Sequence, residues 1–130
     1  MTLPAITRAA DGAPAVDFAG AEKPEGLVVE VLEAGDGAVV AEGQHITVHY
    51  SGWLWNGGKF DSSWDRGDTI SFRIAYGSLI DGWVDGIVGQ PVGSKLLLVV
   101  PPESGYGYQN MGPIPAGSTL VFAVDVLDAR

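Results

Sequence analysis

Residues 79–88 read LIDGWVDGIV, and this stretch decides the fold because its apolar residues do not alternate as they do elsewhere in the chain. The residues at positions i, i+3, i+4 and i+7, the spacing of one face of a helix about two turns long, are Ile80, Trp83, Val84 and Ile87. Gly82 and Gly86 each cost about 1 kcal/mol of helix propensity. The stretch therefore predicts a short amphipathic helix that is held in place by packing against the rest of the protein.

On both sides of this helix, the chain consists of short runs with the alternating apolar pattern of β-strands. In HITVHYS, residues 45–51, the apolar face carries Ile46, Val48 and Tyr50. The run KLLLVV, residues 95–100, is apolar almost throughout, which is typical of a central strand. The pattern predicts an α+β fold in which an antiparallel sheet folds over the one helix. The five predicted strands are residues 27–33, 45–51, 69–75, 95–100 and 119–127.

Length and composition indicate a single packed domain. The chain has 130 residues, of which 46% are hydrophobic, enough for one core but hardly for two. Residues 1–25 differ from the rest because they are rich in Ala, Pro and Gly and show no period. We expect residues 1–25 to be a loosely ordered N-terminal extension and residues 26–130 to be the domain.

The charge balance restricts the partners. Sixteen acidic residues against seven basic ones give a net charge of −9, so neither nucleic acid nor an anionic membrane surface is an expected partner. The chain has no cysteine, which excludes disulfides, thiolate metal sites and cysteine nucleophiles. The first twenty residues lack a signal-like apolar run, and no window reaches the ~18 apolar residues of a membrane span. A cytoplasmic location is expected.

Polar residues form no recognisable catalytic or metal-binding constellation. One acidic cluster consists of Asp61, Asp65 and Asp68. Its spacing is not that of a calcium loop, and a solvated turn with Arg66 paired to one carboxylate is expected instead. His45 and His49 would lie roughly 13 Å apart along a strand, too far to share a zinc ion. We expect no metal and no cofactor. A glycosidase-type pair of carboxylates stays open, since a sequence alone cannot place two of them ~5–9 Å apart.

Aromatic residues on the apolar faces of the predicted elements are the remaining candidates. Tyr106 lies between two glycines, where its side chain can be aimed freely. Inward-facing aromatic residues can fill a core or line a ligand pocket, and periodicity alone leaves both open. The other members of this set are Tyr50, Phe60, Phe72, Trp83 and Phe122.

Four segments, read in order, resemble the FKBP-type peptidyl-prolyl cis-trans isomerases, and the similarity is greatest to single-domain bacterial members. The segments are VHYSGWLWNGGKFDSSWDRG (48–67), LIDGWVDGI (79–87), VGSKLLLVVPPESGYG (92–107) and IPAGSTLVFAVDVL (114–127). The resemblance implies a curved antiparallel sheet wrapped around one short helix. It also implies an enzyme that accelerates rotation about Xaa-Pro bonds, without a cofactor, in proline-containing peptides and unfolded protein clients. Macrolide inhibitors are further expected ligands, and a monomer is expected.

The resemblance also implies roles for individual residues. Trp83 would form the floor of a proline cavity, Asp61 would lie near the amide being twisted and Tyr106 would reach a substrate carbonyl. Arg66 would form an ion pair that orients Asp61. Phe60 would be the third catalytic residue. The implied substrate-binding residues are Tyr50, Ile70, Phe72, Leu79, Ile80, Trp83, Ile114 and Phe122.

Two departures from the family pattern keep an alternative open. Ile70 stands where many members carry a phenylalanine, and the loop at residues 108–114 is one residue shorter, with Pro113 in place of an aliphatic residue. In addition, Trp53 and Trp55 share a strand face. They could form an exposed apolar docking patch, although edge packing under the N-terminal extension is the commoner arrangement. The alternative is a non-catalytic chaperone or protein-binding module on the same scaffold.

Overall fold

The computed structural model describes residues 3–130. In these residues eight strands and two short helices follow one another, with a single 3-10 turn at Pro102–Ser104. In chain order the strands are β1 (Ala5–Arg8), β2 (Pro14–Asp17), β3 (Val28–Glu33), β4 (His45–Leu54), β5 (Lys59–Ser62), β6 (Ile70–Arg73), β7 (Lys95–Val100) and β8 (Leu120–Ala129). The helices are α1 (Ser63–Arg66) and α2 (Asp81–Ile87).

Six of the strands form one antiparallel sheet in the order β3-β7-β8-β4-β5, and β6 pairs with β4 beside β5. Strand β4 organises this sheet because it pairs with β8 along one edge and with two strands along the other. On that second edge, β6 pairs with the first half of β4 and β5 with its second half. Strands β6 and β5 therefore follow one another along the same edge of β4.

The main hydrophobic core lies between the inner face of the sheet and α2. The helix residues buried in this core are Trp83, Val84 and Ile87. A Cβ atom on Gly82 would lie 2.7 Å from Cγ1 of Val100. One on Gly86 would lie 2.9 Å from Cδ2 of Leu98. The two glycines that weaken the helix therefore let its backbone approach β7 closely, and packing holds the helix as the sequence predicted.

The α+β class and the antiparallel sheet around one short helix are confirmed, although the sheet has more strands than the five predicted. Those five correspond to β3, β4, β6, β7 and β8, and the predicted helix is α2. Strand β5 and the one-turn helix α1 were missed because each contains a single apolar residue, Phe60 and Trp64. One apolar residue shows no hydrophobic period. None of the helices within residues 3–130 is long and apolar enough to cross a membrane.

The N-terminal segment forms a hairpin over the outer face of the sheet. Strands β1 and β2 pair antiparallel, from Ala5 opposite Asp17 to Arg8 opposite Pro14. The sequence analysis predicted no strands here, and the structure has two. The hairpin and the chain that follows cover a second apolar cluster, whose buried members are Trp53, Leu97, Val99, Val121 and Ala123. The division into an extension and a domain at residue 25 stays a prediction.

Of the two arrangements considered for Trp53 and Trp55, the structure shows packing under the N-terminal segment, and the docking patch is wrong. The Trp53 side chain is buried, with 4% of the residue exposed, because the N-terminal hairpin covers it. Trp55 packs edge-on against Phe18, with ring centroids 5.1 Å apart. These two tryptophans therefore serve to attach the N-terminal segment to the sheet.

Candidate functional site

An open cavity of about 570 Å³ lies between the inner face of the sheet and the start of α2. Trp83, on the first turn of α2, forms part of its lining and is almost completely buried. The side chains and backbone that line the cavity come from Tyr50, Phe60, Asp61, Phe72, Gly77, Ser78, Leu79, Ile80, Asp81, Trp83, Gly105, Tyr106 and Phe122. The inward-facing aromatic residues therefore surround a space as well as filling a core.

Edge-to-face contacts hold the aromatic rings in fixed orientations around this space. The indole of Trp83 meets the ring of Tyr50 at 89° with centroids 5.1 Å apart. It meets Phe72 at 79° and Phe122 at 87°, each with centroids 5.5 Å apart. Such T-shaped pairs are favourable arrangements of aromatic quadrupoles. Because three rings stand upright on Trp83, they wall the cavity instead of stacking flat across it.

Gly52 on β4 leaves space for the ring of Phe60, the fourth aromatic side chain around Trp83's cavity. Phe60 of β5 packs edge-on against Phe122, with centroids 5.7 Å apart at 87°. A Cβ atom on Gly52 would lie 2.7 Å from Cζ of Phe60 and 3.0 Å from Cε1 of Phe122. Any larger residue at position 52 would push these rings toward the cavity.

One side of the cavity is polar. Asp61 accepts hydrogen bonds from the Tyr50 hydroxyl and from Arg66 of α1. Tyr50 donates to Oδ2 and Arg66 to Oδ1. The backbone N–H of Ser62 also donates to Oδ1, over 2.9 Å. The predicted ion pair of Asp61 with Arg66 is therefore present, and the Asp61 side chain keeps 35% of its surface exposed.

This hydrogen-bond network shifts the pKa values of both cavity residues. Burial is the largest influence on Asp61 and by itself would raise its pKa, but the hydrogen bonds from Tyr50 and Arg66 and the Arg66 charge together lower the pKa below its ordinary value. Burial, followed by the hydrogen bond to Asp61, raises the pKa of Tyr50 to about 12. At neutral pH the cavity therefore contains a carboxylate and a neutral phenol.

Tyr106 differs from the other three tyrosines of the chain. Tyr50, Tyr76 and Tyr108 each donate a hydrogen bond to a carboxylate. Within residues 3–130 no such acceptor is bonded to the Tyr106 hydroxyl, although this residue lines the cavity. Burial and the charge of Asp61 raise its pKa, so it is a protonated donor at neutral pH.

The structure brings together most of the residues that the sequence nominated, but not Ile70 or Ile114. Both lie outside the cavity lining and pack against the core, where only 5% of Ile114 is exposed. The lining also includes Gly77, Ser78, Asp81 and Gly105, which the sequence analysis missed. Gly77 and Ser78 lie in a turn before α2, Asp81 is the first residue of α2, and Gly105 precedes Tyr106. None of these positions carries a sequence signal for facing a cavity.

The cavity lining contains neither histidine nor cysteine. In the part of the chain that the structure describes, no group of three or more histidine or acidic side chains could hold a metal ion. Fold and site together define a small antiparallel-sheet protein with an aromatic cavity, one oriented carboxylate and a tyrosine hydroxyl that has no acceptor among residues 3–130. These features are suited to binding and deforming a compact apolar group.

Comparison with known proteins identifies the family. Residues 37–127 match the FKBP-type peptidyl-prolyl cis-trans isomerase family. The chain is 45% identical over 103 residues to the FK506-binding protein of Neisseria meningitidis serogroup B, covering 78% of this chain and 94% of that protein. It is 38% identical over 117 residues to the FK506-binding protein of Streptomyces anulatus, covering 88% of this chain and 94% of that protein.

A solved structure agrees with this result. The crystal structure of FkpA from Escherichia coli superposes with a TM-score of 0.76 and 35% identity over 96% of this chain. The present chain spans about half of the FkpA chain, 51%. The protein belongs to the FKBP-type peptidyl-prolyl cis-trans isomerase family, and the family, fold and enzyme class expected from the sequence are confirmed.

Proposed function

We propose that the aromatic cavity is the active site for prolyl isomerisation and that the substrate's prolyl ring lies against Trp83. The observation that supports this assignment is the open space of about 570 Å³ whose walls are rings held upright on the Trp83 indole. A prolyl ring is compact and apolar, so burial against such walls supplies binding energy. Rotation about the amide forms no new bond, and the site therefore needs no nucleophile.

The cavity would accelerate rotation because the twisted amide is less polar than the planar one. Planarity preserves amide resonance, and losing it sets a barrier of ~18–20 kcal/mol. In the twisted state the carbonyl loses charge separation and the proline nitrogen regains a lone pair. A cavity that excludes water disfavours the planar form more than the twisted form, and this difference lowers the barrier.

Asp61 would add to this difference through its charge. Its two partners, Tyr50 and Arg66, hold the carboxylate in one orientation at the cavity wall. A carboxylate beside the imide repels the partial negative charge on the carbonyl oxygen. That charge is larger in the planar state, so the repulsion decreases as the amide twists.

Tyr106 would hold the bound peptide by donating a hydrogen bond from its hydroxyl to a substrate carbonyl. Its side chain lines the cavity, and its pKa is raised, so it donates throughout the neutral range. A fixed carbonyl next to the buried prolyl ring keeps the chain bent, and bending is what brings the imide toward its twisted geometry. Phe60 would enclose the ring from the side of β5.

Exchange of a Leu-Pro peptide tests the assignment of the cavity. We expect Phe60→Ala to lower kcat/KM about fivefold, because the lost edge-to-face contact and apolar surface are worth about 1 kcal/mol. The matched control is Ile70→Ala, at a residue outside the lining, which should change kcat/KM less than Phe60→Ala. Equal losses in the two variants, at equal thermal stability, would show that the catalytic site is elsewhere.

The pH dependence follows from the two shifted pKa values. Asp61, whose pKa is lowered, stays ionised above the ordinary carboxyl range, and Tyr50 stays neutral until about pH 12. We therefore expect kcat/KM to be constant from about pH 6 to about pH 9 and to fall only in acid, as Asp61 takes up a proton. The Asp61 ion pair also stabilises the folded protein at neutral pH. This stabilisation is lost as the pH falls through the lowered pKa of Asp61. A midpoint between about pH 6 and about pH 8 in the rate profile would indicate a titrating histidine instead.

Further properties rest on the sequence and on the relatives. We propose macrolide binding because two relatives bear the name FK506-binding protein. We propose a chaperone activity because two apolar side chains on the loop after Tyr106, Tyr108 and Met111, are 70% and 45% exposed and could contact an unfolded client. Inhibition of exchange by FK506 and suppression of aggregation of a proline-free client measure these two properties. A cytoplasmic location and a monomeric state stay predictions, which cell fractionation and light scattering test.

A further inference from the structure

The N-terminal hairpin is fixed to the outer face of the sheet by Arg8. Arg8 donates two hydrogen bonds of 3.0 Å to the carboxylate of Asp125 on β8, whose side chain is only 10% exposed. Arg8 also donates to the carbonyl of Gly12 over 3.2 Å. Gly12 lies at the hairpin tip with a φ of 91°. One side chain therefore fixes both the hairpin and the conformation of its tip.

The hairpin tip contacts Trp64, the second residue of α1. A Cβ atom on Gly12 would lie 3.1 Å from Cη2 of Trp64. The indole also stacks on the imidazole of His49, with centroids 3.9 Å apart and planes inclined by 12°. The Trp64 ring therefore contacts both the hairpin tip and strand β4.

Helix α1 depends on such contacts because it is a single turn. Four residues form too few hydrogen bonds to be stable alone. Its N-cap Ser62 accepts from the backbone N–H of Asp65 over 3.3 Å. The Ser63 hydroxyl lies 2.7 Å from Nδ1 of His49 and accepts the backbone N–H of Tyr50 over 2.7 Å. Together with the Trp64 stack, these contacts connect α1 to β4.

The same turn determines the position of the catalytic ion pair. Asp61 lies two residues before the first residue of α1, and Arg66 is its last residue. The Arg66 side chain is 46% exposed and makes its ion pair with Asp61. An exposed arginine has many rotamers, so its pairing depends on where α1 places its backbone.

We propose that the N-terminal hairpin, through the contact of Gly12 with Trp64, positions α1 so that Arg66 holds the Asp61 carboxylate at the cavity wall. Trp64 is then a positioning residue for isomerisation, since it acts through Arg66 and does not line the cavity. The inference rests on the proposed role of Asp61. The hairpin strands lie outside residues 37–127, which match the family, so this support comes from a part of the chain beyond the matched region.

The decisive variants are Trp64→Ala and Trp64→Phe in the full chain. The alanine variant removes the ring between Gly12 and His49, and the phenylalanine variant keeps a ring there. The Trp64 Nε1–H is buried and has no hydrogen-bond partner within residues 3–130, so phenylalanine breaks no hydrogen bond in that part of the chain. We expect Trp64→Ala to lower kcat/KM about threefold through mispositioning and Trp64→Phe to restore it.

Titration of the Asp61 side-chain carboxyl by ¹³C NMR separates positioning from stability. The titratable and charged groups that influence Asp61 are Tyr50 from β4, Arg66 from α1 and Tyr106 from the loop after β7. Both tyrosines remain protonated in acid, so the ion pair with Arg66 is the influence on the Asp61 pKa that the variants are expected to change. In Trp64→Ala the titration midpoint of Asp61 should rise toward that of an ordinary aspartate, and in Trp64→Phe it should stay at the wild-type value.

Arg8→Ala provides the second measurement, because it loosens the hairpin and leaves Trp64 in place. If Trp64→Ala does not fold, this variant decides. A raised Asp61 midpoint in Arg8→Ala supports the proposal, and a wild-type midpoint in every folded variant overturns it, even where melting temperatures fall. The NMR readout is independent of turnover, so an inactive wild type would contradict the proposed function and leave this test valid.

Discussion

Replacing Trp83 by alanine is expected to destabilise the fold by about 3 kcal/mol and to lower kcat/KM more than tenfold. Trp83 supports the cavity walls because three aromatic rings pack edge-to-face against its indole, with centroid separations between 5.1 and 5.5 Å. Without the indole these rings lose their common support and the cavity loses its base. Urea unfolding measures the first effect, and Leu-Pro peptide exchange measures the second.

Trp83→Phe is the matched variant, since it keeps an aromatic ring with a smaller area. It should lose less stability than Trp83→Ala and retain more of the rate. If Trp83→Ala remains folded and isomerises the peptide at the wild-type rate, the prolyl ring does not use this base. If the alanine variant does not fold, the phenylalanine variant decides. A kcat/KM below that of the wild type supports a contribution of the indole to binding, and a wild-type kcat/KM contradicts it.

Replacing Asp61 by alanine is expected to lower kcat/KM about thirtyfold, equivalent to about 2 kcal/mol of barrier. The loss combines the missing charge at the cavity wall with the release of Tyr50 and Arg66, which both donate to this carboxylate. Asp61→Asn separates the two effects because its amide oxygen still accepts hydrogen bonds and carries no charge. If charge dominates, the asparagine variant is nearly as slow as the alanine variant. The kinetics are measured with one Leu-Pro peptide.

A nearby carboxylate serves as the control for Asp61. Asp65 belongs to the same acidic cluster and pairs with Lys59 over 2.7 Å, but it is 60% exposed and does not line the cavity. Asp65→Ala removes the same charge from α1, four residues further along the chain, and should leave kcat/KM within about twofold of wild type. Equal losses at positions 61 and 65 would mean that net charge, and not the oriented carboxylate, determines the rate.

The sequence predicted those parts of the fold whose signal is long and periodic. Helix α2 was recognisable from four apolar residues at helical spacing, and β7 from an unbroken apolar run. Strand β5 and helix α1 were not recognisable, because they are fixed by contacts with β4 and carry no period of their own. The hairpin β1–β2 was missed for a similar reason. Its apolar residues are few, and their partner surface lies more than 30 residues away along the chain.

The candidate site could be nominated from sequence only as a set of inward-facing aromatic residues. Whether such rings fill a core or surround a space depends on their relative angles, which the sequence does not contain. The structure provides those angles, and it also separates Phe72, which lines the cavity, from Ile70, two residues earlier on the same strand face. Ile114 was nominated by resemblance, but in this chain its side chain packs into the core. Resemblance identifies a position, and local packing decides what that position contacts.

The most direct test is an NMR exchange experiment on a ¹³C-labelled Leu-Pro peptide with a catalytic amount of the wild-type protein. Two quantities come from the same sample: the cis–trans exchange rate, and intermolecular contacts between prolyl ring protons and the protein. We expect the exchange to accelerate in proportion to protein concentration and the prolyl ring to show contacts with the Trp83 indole. An exchange rate equal to that of the free peptide, or a prolyl ring in contact only with residues outside the cavity, would contradict the assignment of this aromatic cavity as the isomerase site.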